Sequence, residues 1–171
     1  MKLDPQEIEA RFRRHGVRVT RQRAAIYTAL VGTTSHPSAD DLYRLVKCHQ
    51  PMMSRNTVYY TLGVLRNAGL VREVNVGHEM ARYDGNVSMH HHLICLGCGR
   101  ILDVMDDELN QLQLSSGQAR GFDVLGHRVE FHGYCVSCQQ AERNVPPRRS
   151  QAALFIEGGQ HGKQFEGHEK S

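Results

Sequence analysis

The first half of the chain sets apolar residues at helical spacing behind residues that start helices, which predicts three or four helices in succession. Residues 5–14 place Ile8 and Phe12 four positions apart among charged residues. Thr20 can cap a second helix, and Ser38 begins a third with a capping-box-like arrangement. We therefore expect short, individually capped helices over this part of the chain.

The last of these helices, in "SRNTVYYTLGVLRNAGLV", is expected to end at Gly69. Its core stripe consists of Val58, Leu62 and Leu65, at positions i, i+4 and i+7. A plain packing helix would also have a polar outer face. Two adjacent tyrosines on that face favour DNA contact instead, because such a ring can touch thymine methyl groups and its hydroxyl can donate to phosphates or bases. The candidate DNA-contacting residues are Asn56, Thr57, Tyr59 and Tyr60.

A hairpin is predicted directly after this helix. Residues 71–75 and 79–83 alternate in character on either side of Gly77-His78, which indicates a strand, a turn and a strand. Helices followed by such a hairpin are typical of a winged helix-turn-helix domain, in which the helix before the wing enters the DNA groove. We assign residues 1–84 to this domain.

The second half predicts a compact α+β unit. The segment "HHLIC" is expected to form a strand, "LGCG" a turn and "RILDV" a second strand. A helix that begins with acidic residues is predicted from about Asp106 to Ala119. It is followed by the segment "FDVLGHRVEFHGYC", in which apolar and polar residues alternate. The predicted fold class is therefore α+β, with helices and a hairpin in front and a mixed unit behind.

The domain boundaries follow from short segments of low apolar content. Residues 85–89, "GNVSM", are expected to act as a hinge, and residues 90–141 to form the second domain. From residue 142 the chain contains "PPRR", paired glycines and scattered charge, which predicts a flexible tail. The chain contains no internal repeat.

Charge and hydropathy narrow the function classes. The net charge is only +3, but residues 1–83 carry thirteen Lys and Arg against seven Asp and Glu, whereas residues 84–141 carry three against seven. A basic half suggests a polyanionic partner such as double-stranded DNA. No apolar run is long enough to cross a bilayer, and the charged N-terminus does not resemble a secretory signal. We expect a cytoplasmic protein with no membrane partner.

Four of the five cysteines form two Cys-x-x-Cys pairs, Cys95/Cys98 and Cys135/Cys138. In a reducing compartment such pairs favour a tetrahedral, all-thiolate zinc over disulfides, although a redox dithiol is the alternative. A closed shell of four cysteines leaves no position for substrate, so this zinc would be structural. The fifth, Cys48, is expected to be a small buried residue on a helix.

Three consecutive histidines precede the first cysteine pair. In a strand, His90 and His92 would face one way and His91 the other. Two imidazoles on one face are candidate metal ligands, whereas a half-exposed polar strand is the alternative. His36, Asp84 and Asp103 are further candidates, and a His/Asp shell suits Fe(II), Mn(II) or Zn(II).

The chain resembles the ferric uptake regulator family. The resemblance covers roughly residues 10–140 and rests on five motifs in the family's order and spacing: "HPSADDLY", "NTVYYTLGVLRNAGLV", "ARYD", "HHHLICLGCG" and "FHGYCVSC". It implies a dimeric winged-helix repressor that binds operator DNA when its regulatory metal is loaded. It also implies that the histidine-cysteine stretch serves two metals.

The resemblance assigns roles residue by residue. The structural zinc falls on Cys95, Cys98, Cys135 and Cys138. The regulatory metal falls on His36, Asp84, His90, His92 and Asp103, and Tyr59 and Tyr60 fall in the DNA-reading helix. His91 and His127 occupy two positions of the family's additional metal site, whose other two expected ligand positions are held by Met89 and Asn110.

Two positions distinguish branches of the family. Iron-sensing relatives commonly have Glu where this chain has Asp84 and Asp103, whereas the peroxide-sensing branch resembles it in having Asp at both. The position of Tyr60 is often Arg or Asn in relatives. We therefore expect a homodimeric repressor with Fe(II) or Mn(II) as corepressor that peroxide derepresses. An iron- or zinc-uptake regulator is the runner-up.

Two other classes of protein would use the same metal ligands. A metallohydrolase needs a general base beside an open metal position, and no HExxH-like signature is present. A metal-storage protein would have no need of residues 10–83. We therefore expect a regulator that is not an enzyme.

Overall fold

The computed structural model describes residues 3–75 and 81–142 and shows an α+β fold, as the sequence predicted. The predicted turn at Gly77-His78 and residues 143–171 of the predicted tail lie outside the described residues. The helices are α1 Pro5–Arg14, α2 Arg21–Val31, α3 Ala39–Lys47, α4 Arg55–Asn67, α5 Asp107–Asn110, α6 Ser116–Ala119 and α7 Val136–Glu142. The strands are β1 Arg72–Val74, β2 Arg82–Asp84, β3 His91–Cys95, β4 Ile101–Val104 and β5 Glu130–Gly133.

The N-terminal helices begin where the sequence signals predicted. The Thr20 side chain accepts a hydrogen bond from the Arg23 backbone N–H, and both halves of the Ser38-Asp41 capping box are present. Each cap satisfies backbone N–H groups that have no partner inside the helix. Gly69, with φ of +69°, follows the end of α4 in a left-handed conformation that glycine adopts without strain.

Helices α1–α4 share one apolar core. The predicted α4 stripe of Val58, Leu62 and Leu65 is fully buried, and Phe12 packs against Tyr27 with ring centres 5.3 Å apart. The antiparallel pair β1-β2 follows α4 and pairs Arg72 with Asp84. This arrangement of helices and hairpin is the predicted winged helix-turn-helix.

The second sheet has the strand order β4-β3-β5, with β3 antiparallel to β4 and parallel to β5. A small apolar cluster joins Ile94 and Ile101 of this sheet to Val74 of β1. The hairpin after α4 therefore packs against the second half of the chain as well as the first.

Two expectations were wrong, one in each half of the chain. The helix predicted from Asp106 to Ala119 is two four-residue helices, α5 and α6, neither of which has a buried residue. Without an apolar face to bury, a short helix has little stability in water. Of the alternating segment that follows, only Glu130–Gly133 pairs as a strand. Cys48 is exposed, because it lies at the C-cap of α3 and away from the buried positions of that helix.

Candidate metal centres and recognition helix

Five side chains converge on one buried site between the two halves of the chain. His36 precedes α3, Asp84 ends β2, and Asp103 lies on β4, where it pairs with His92 of β3. A Tyr83 N–H to Pro37 C=O hydrogen bond of 3.0 Å holds the segment of His36 against β2. The site thus contains all five sequence-predicted regulatory ligands.

The candidate ligand atoms lie within a few ångströms of one another. His90 Nε2 is 3.0 Å from both His92 Nε2 and Asp84 Oδ2, and His36 Nε2 is 3.0 Å from Asp103 Oδ1. One ligand atom from each of His36, His90, His92 and Asp103 falls within 4.8 Å of the others. The three imidazoles are almost fully buried, whereas the side chain of Asp103 is 20% exposed.

The backbone sets the tautomer of two of these imidazoles. Nδ1 of His36 lies 3.1 Å from the Thr34 carbonyl, and Nδ1 of His90 lies 2.9 Å from the Ser88 carbonyl. A carbonyl oxygen only accepts, so each Nδ1 carries a proton, and Nε2 is the ring nitrogen whose lone pair can point into the site. Such hydrogen bonds commonly orient histidines that bind metals.

Some buried atoms of the site have no hydrogen bond of acceptable geometry although they lie close together: His36 Nε2, Asp84 Oδ2 and Asp103 Oδ1. Burying polar atoms without a partner costs about 1–3 kcal/mol each. Lone pairs of nitrogen and oxygen facing one another are what a divalent cation requires. The residues present therefore fit a regulatory metal ion.

The electrostatics favour the ligating forms of these groups. Burial lowers the pKa of His36 and outweighs the opposing effect of Asp103 and Asp84, so its ring is held neutral. Burial raises the pKa of Asp84, but His92, the Asn86 N–H and the remaining histidines outweigh it, so the net shift is downward. A neutral imidazole and an ionised carboxylate are the protonation states that bind metal.

His36 adopts an uncommon backbone conformation. Its φ of +48° is in the left-handed region, which non-glycine residues seldom occupy. Such a conformation costs of order 1 kcal/mol or more and persists where the surrounding structure imposes it. In this chain it directs the imidazole toward Asp103.

The four cysteines of the two pairs meet at a second candidate centre. Their sulfur atoms all lie within 4.8 Å of one another, and the Cys98 and Cys135 sulfurs are 3.8 Å apart. Four sulfurs bound about 2.3 Å from a tetrahedral zinc are separated by about 3.8 Å. The spacing therefore fits one zinc ion.

The ionisation of these thiols also fits a bound cation. Burial raises the pKa of Cys95, but N–H groups of Cys135, Cys98 and Gly97 directed at its sulfur lower it to about 6. Hydrogen bonding with Cys135, together with burial and the other thiols, raises the pKa of Cys138 to about 12. Four adjacent thiolates without a cation repel one another, and a dication removes that obstacle.

Two glycines of the first cysteine turn have separate roles. Gly99 has a φ of +69°, as the tight turn requires. At Gly97 a Cβ atom would lie 2.8 Å from the Cys138 sulfur, so any side chain there would displace the second pair. The conflict at Gly97 is not visible in the sequence, because it involves Cys138, a residue about forty positions away.

His91 and His127 stack with ring centres 5.8 Å apart. The Val129 N–H donates to Nδ1 of His91, so the proton of the neutral His91 ring is on Nε2, and Nε2 of His127 lies 2.6 Å from the Leu109 carbonyl. A metal bound at both Nε2 atoms would have to replace this arrangement. The additional site remains a prediction.

The predicted DNA-contacting residues lie in the first half of α4. Tyr59 is 49% exposed and Tyr60 is 67% exposed, while Asn56 is exposed and Thr57 half-buried. The Arg23 guanidinium lies 5.9 Å from the centre of the Tyr60 ring, within reach of a cation–π contact. Sequence reasoning did not single out Arg23, although the basic segment "RVTRQR" is a signal for it.

Comparison with known proteins identifies the family of this chain. The sequence pattern of the ferric uptake regulator family matches residues 14–132. The chain belongs to this family. It is also 37% identical, over 78% of its length and 90% of the relative's, to the peroxide-responsive repressor PerR of Staphylococcus aureus. As a member of this family the chain is a metal-responsive regulator and not an enzyme, as its sequence predicted.

Solved structures of the family share the fold. The ferric uptake regulator of Pseudomonas aeruginosa, solved with manganese, superimposes with a TM-score of 0.64 at 25% identity, covering 75% of this chain and 97% of that one. The Helicobacter pylori ferric uptake regulator gives a TM-score of 0.66 at 21% identity, covering 81% and 95% of the two chains.

The longest described helix, α4, has thirteen residues including two arginines, so no helix in the described ranges could span a membrane.

Proposed function

We propose that this protein is a homodimeric, DNA-binding transcriptional repressor that uses Fe(II) or Mn(II) as corepressor and is released from its operator by peroxide. The observation that carries the proposal is the contact of His36, in front of α3, with Asp103 on β4. A metal held by His36, Asp84, His90, His92 and Asp103 would tie the helical half of the chain to the second sheet. Metal occupancy would then favour one relative orientation of the two halves.

The orientation matters because DNA reading by a winged helix depends on spacing. A dimer places two recognition helices in successive major grooves about one helical turn apart. Asn56, Thr57, Tyr59 and Tyr60 of α4 would supply the contacts to bases and phosphates. An excess of basic residues over the first 83 positions supports attraction to the DNA backbone.

A second copy of the chain accounts for the exposed apolar face of the second sheet. Leu93, Leu102 and Phe131 lie side by side across β4, β3 and β5, and each is more than 40% exposed. Three large apolar side chains in one row across a sheet are typical of a surface that another protein covers. We assign this face to the homodimer interface, and with it residues 90–141 to a dimerisation domain after the hinge at residues 85–89.

The metal assignments follow from the donor sets. Four thiolates suit a structural zinc ion held by Cys95, Cys98, Cys135 and Cys138. Three imidazoles and two carboxylates suit Fe(II) or Mn(II), and such a donor set would also accept Zn(II) in vitro. A bound Fe(II) would supply an electron for the reduction of peroxide next to the residues that hold it. Peroxide sensing requires that a small oxidant can reach these ligands.

The exposure of Asp103 supports a path by which a small oxidant such as peroxide could reach the regulatory site. Of the five candidate ligands, Asp103 alone has substantial exposure, at 20% of its side chain, so a small molecule can approach from that side. His36 lies beside Asp103, with His90 Nε2 3.8 Å from the same oxygen. We assign His36 and His90 as the residues that gain one oxygen and lose ligand strength.

The proposal is tested by measuring binding to an operator duplex recovered by in vitro selection with the Mn(II)-loaded protein. Binding should require Mn(II) or Fe(II), should be lost in His36→Ala, and should be lost after brief peroxide only with Fe(II). Mass spectrometry should then find one added oxygen on peptides containing His36 and His90. Unmodified peptides with DNA still bound would instead indicate an iron- or zinc-uptake regulator, and metal-independent DNA binding would refute the corepressor role.

A further inference from the structure

Arg72 of β1 reaches the segment that connects the two halves of the chain, residues 85–89. Its guanidinium donates to two consecutive backbone carbonyls, with Nη2 2.6 Å from the Val87 oxygen and Nη1 3.2 Å from the Ser88 oxygen. Among the described residues no carboxylate lies within ion-pair distance of Arg72. Its charge is thus directed at the main chain of the connecting segment.

The Ser88 carbonyl has a second donor, Nδ1 of His90, at 2.9 Å. A carbonyl oxygen has two lone pairs, so it can accept from the guanidinium and from the imidazole together. The Ser88 carbonyl thereby fixes the proton of His90 on Nδ1 and directs Nε2 of His90 toward Asp84 Oδ2 and His92 Nε2, each 3.0 Å away. Arg72 therefore lies two hydrogen bonds from the interior of the regulatory site.

The location of Arg72 ties this contact to the wing. Its Cα pairs with that of Asp84 across the β1-β2 hairpin. Arg72 therefore lies beside one candidate ligand, Asp84, and its side chain reaches the carbonyl that orients a second one, His90. Burial and the nearby charge of Arg128 lower the pKa of Arg72, while Asp84 raises it. A guanidinium that is partly removed from water and feels a nearby positive charge needs compensating hydrogen bonds, which the two carbonyls provide.

We propose that Arg72 is a positioning residue for the regulatory metal site: it holds the Val87 and Ser88 carbonyls, and thereby fixes the tautomer and direction of His90. This inference rests on the proposed function for the identity of the site. Arg72 would not touch the metal itself. Because the contacts run from β1 to His90, order in the wing and order in the metal site would favour each other reciprocally.

The test compares two variants of Arg72. Arg72→Met keeps most of the side-chain length but removes every side-chain donor. Arg72→Lys keeps the positive charge but has only one donor nitrogen in place of the two that reach the Val87 and Ser88 carbonyls. The matched control is Arg82→Met on the neighbouring strand, since Arg82 faces Asp41 and not the connecting segment. The first measurement is the ¹⁵N spectrum of the histidine rings in protein that carries one zinc per chain, at the four cysteines, and no metal at the histidines. The second is the Mn(II) affinity by titration calorimetry.

For Arg72→Met we expect His90 to lose its single Nδ1–H tautomer and the Mn(II) affinity to fall by about 10-fold or more, as for other residues that orient metal ligands. Arg72→Lys should recover part of both losses, and Arg82→Met should match the wild type. A wild-type tautomer in folded Arg72→Met protein would overturn the proposal. If the wild type failed to bind Mn(II), the proposed function would fail, and the tautomer measurement would still decide the role of Arg72.

Discussion

At the scale of single residues, the regulatory site depends on where each ligand group is held. Asp103 is opposite His92 in the β3-β4 register and accepts no hydrogen bond at Oδ1, although His36 Nε2 is 3.0 Å away. Its partial exposure makes it the side from which solvent meets the site. The length of this one side chain should therefore control access to the metal.

We predict that Asp103→Glu keeps Mn(II)-dependent operator binding but blunts the response to peroxide. The added methylene group would make the side chain longer and bulkier, so that it fills more of the opening beside Asp103 while leaving an oxygen ligand available. The measurement is the fraction of His36 and His90 that gains one oxygen during a fixed peroxide pulse in the Fe(II) form. A rate of oxidation in Asp103→Glu equal to that of the wild type would show that this position does not control access.

At the scale of elements, the four N-terminal helices could be predicted because each carries its own cap and its own apolar stripe. The segment after Asp106 carries a cap as well, and the Asp106 side chain accepts from two backbone N–H groups. Leu109 is only half-buried, however, and Leu112 and Leu114 stay exposed, so no apolar face sustains the helix beyond Asn110. Capping starts a helix, whereas burial of a face sustains it.

The candidate ligands could likewise be predicted from motif order, because their types and spacings are visible along the chain. The groups that orient them could not. The Thr34 and Ser88 carbonyls are main-chain atoms that any residue would supply, and Arg72 reaches Ser88 across sixteen positions. Such contacts depend on how β1 and the connecting segment pack, which no local pattern of residues encodes.

For α4 we predict that Tyr59→Ala and Tyr60→Ala each weaken operator binding by about 1–3 kcal/mol, the usual loss for one base contact. Both side chains are exposed, so their removal should leave Mn(II) affinity and thermal stability unchanged. Leu45→Ala, at a similarly exposed position on α3, is the matched control. Fluorescence anisotropy with labelled duplex gives the affinities. Wild-type binding by both tyrosine variants would assign these rings to some role other than DNA contact.

At the scale of the whole molecule, the four cysteines join the ends of a long stretch of chain. Cys95 ends β3 and Cys138 lies on α7, and little apolar core holds them together, since the described cluster of this sheet contains Val74, Ile94 and Ile101. A zinc ion at these cysteines would stabilise the fold, because such a site closes only in the folded chain, and its binding free energy is roughly 10–16 kcal/mol in small zinc peptides.

We therefore predict that Cys138→Ser loses zinc, lowers the melting temperature and gives monomeric or aggregated protein. Cys48→Ser is the control, because Cys48 is exposed and lies outside the cluster. Zinc content by atomic absorption and mass by light scattering are the measurements. A zinc-free Cys138→Ser dimer that binds operator normally would contradict the structural role.

Strand β3 carries ligands of both candidate centres, with His92 near its start and Cys95 at its end, three positions apart. If the proposed metal assignments hold, the two metals would bind in a fixed order. A newly made chain would need zinc to hold β3 in place before it could bind its corepressor. Such a regulator would depend on two metals in turn. In a cell starved of zinc, newly made copies would not respond to iron, manganese or peroxide.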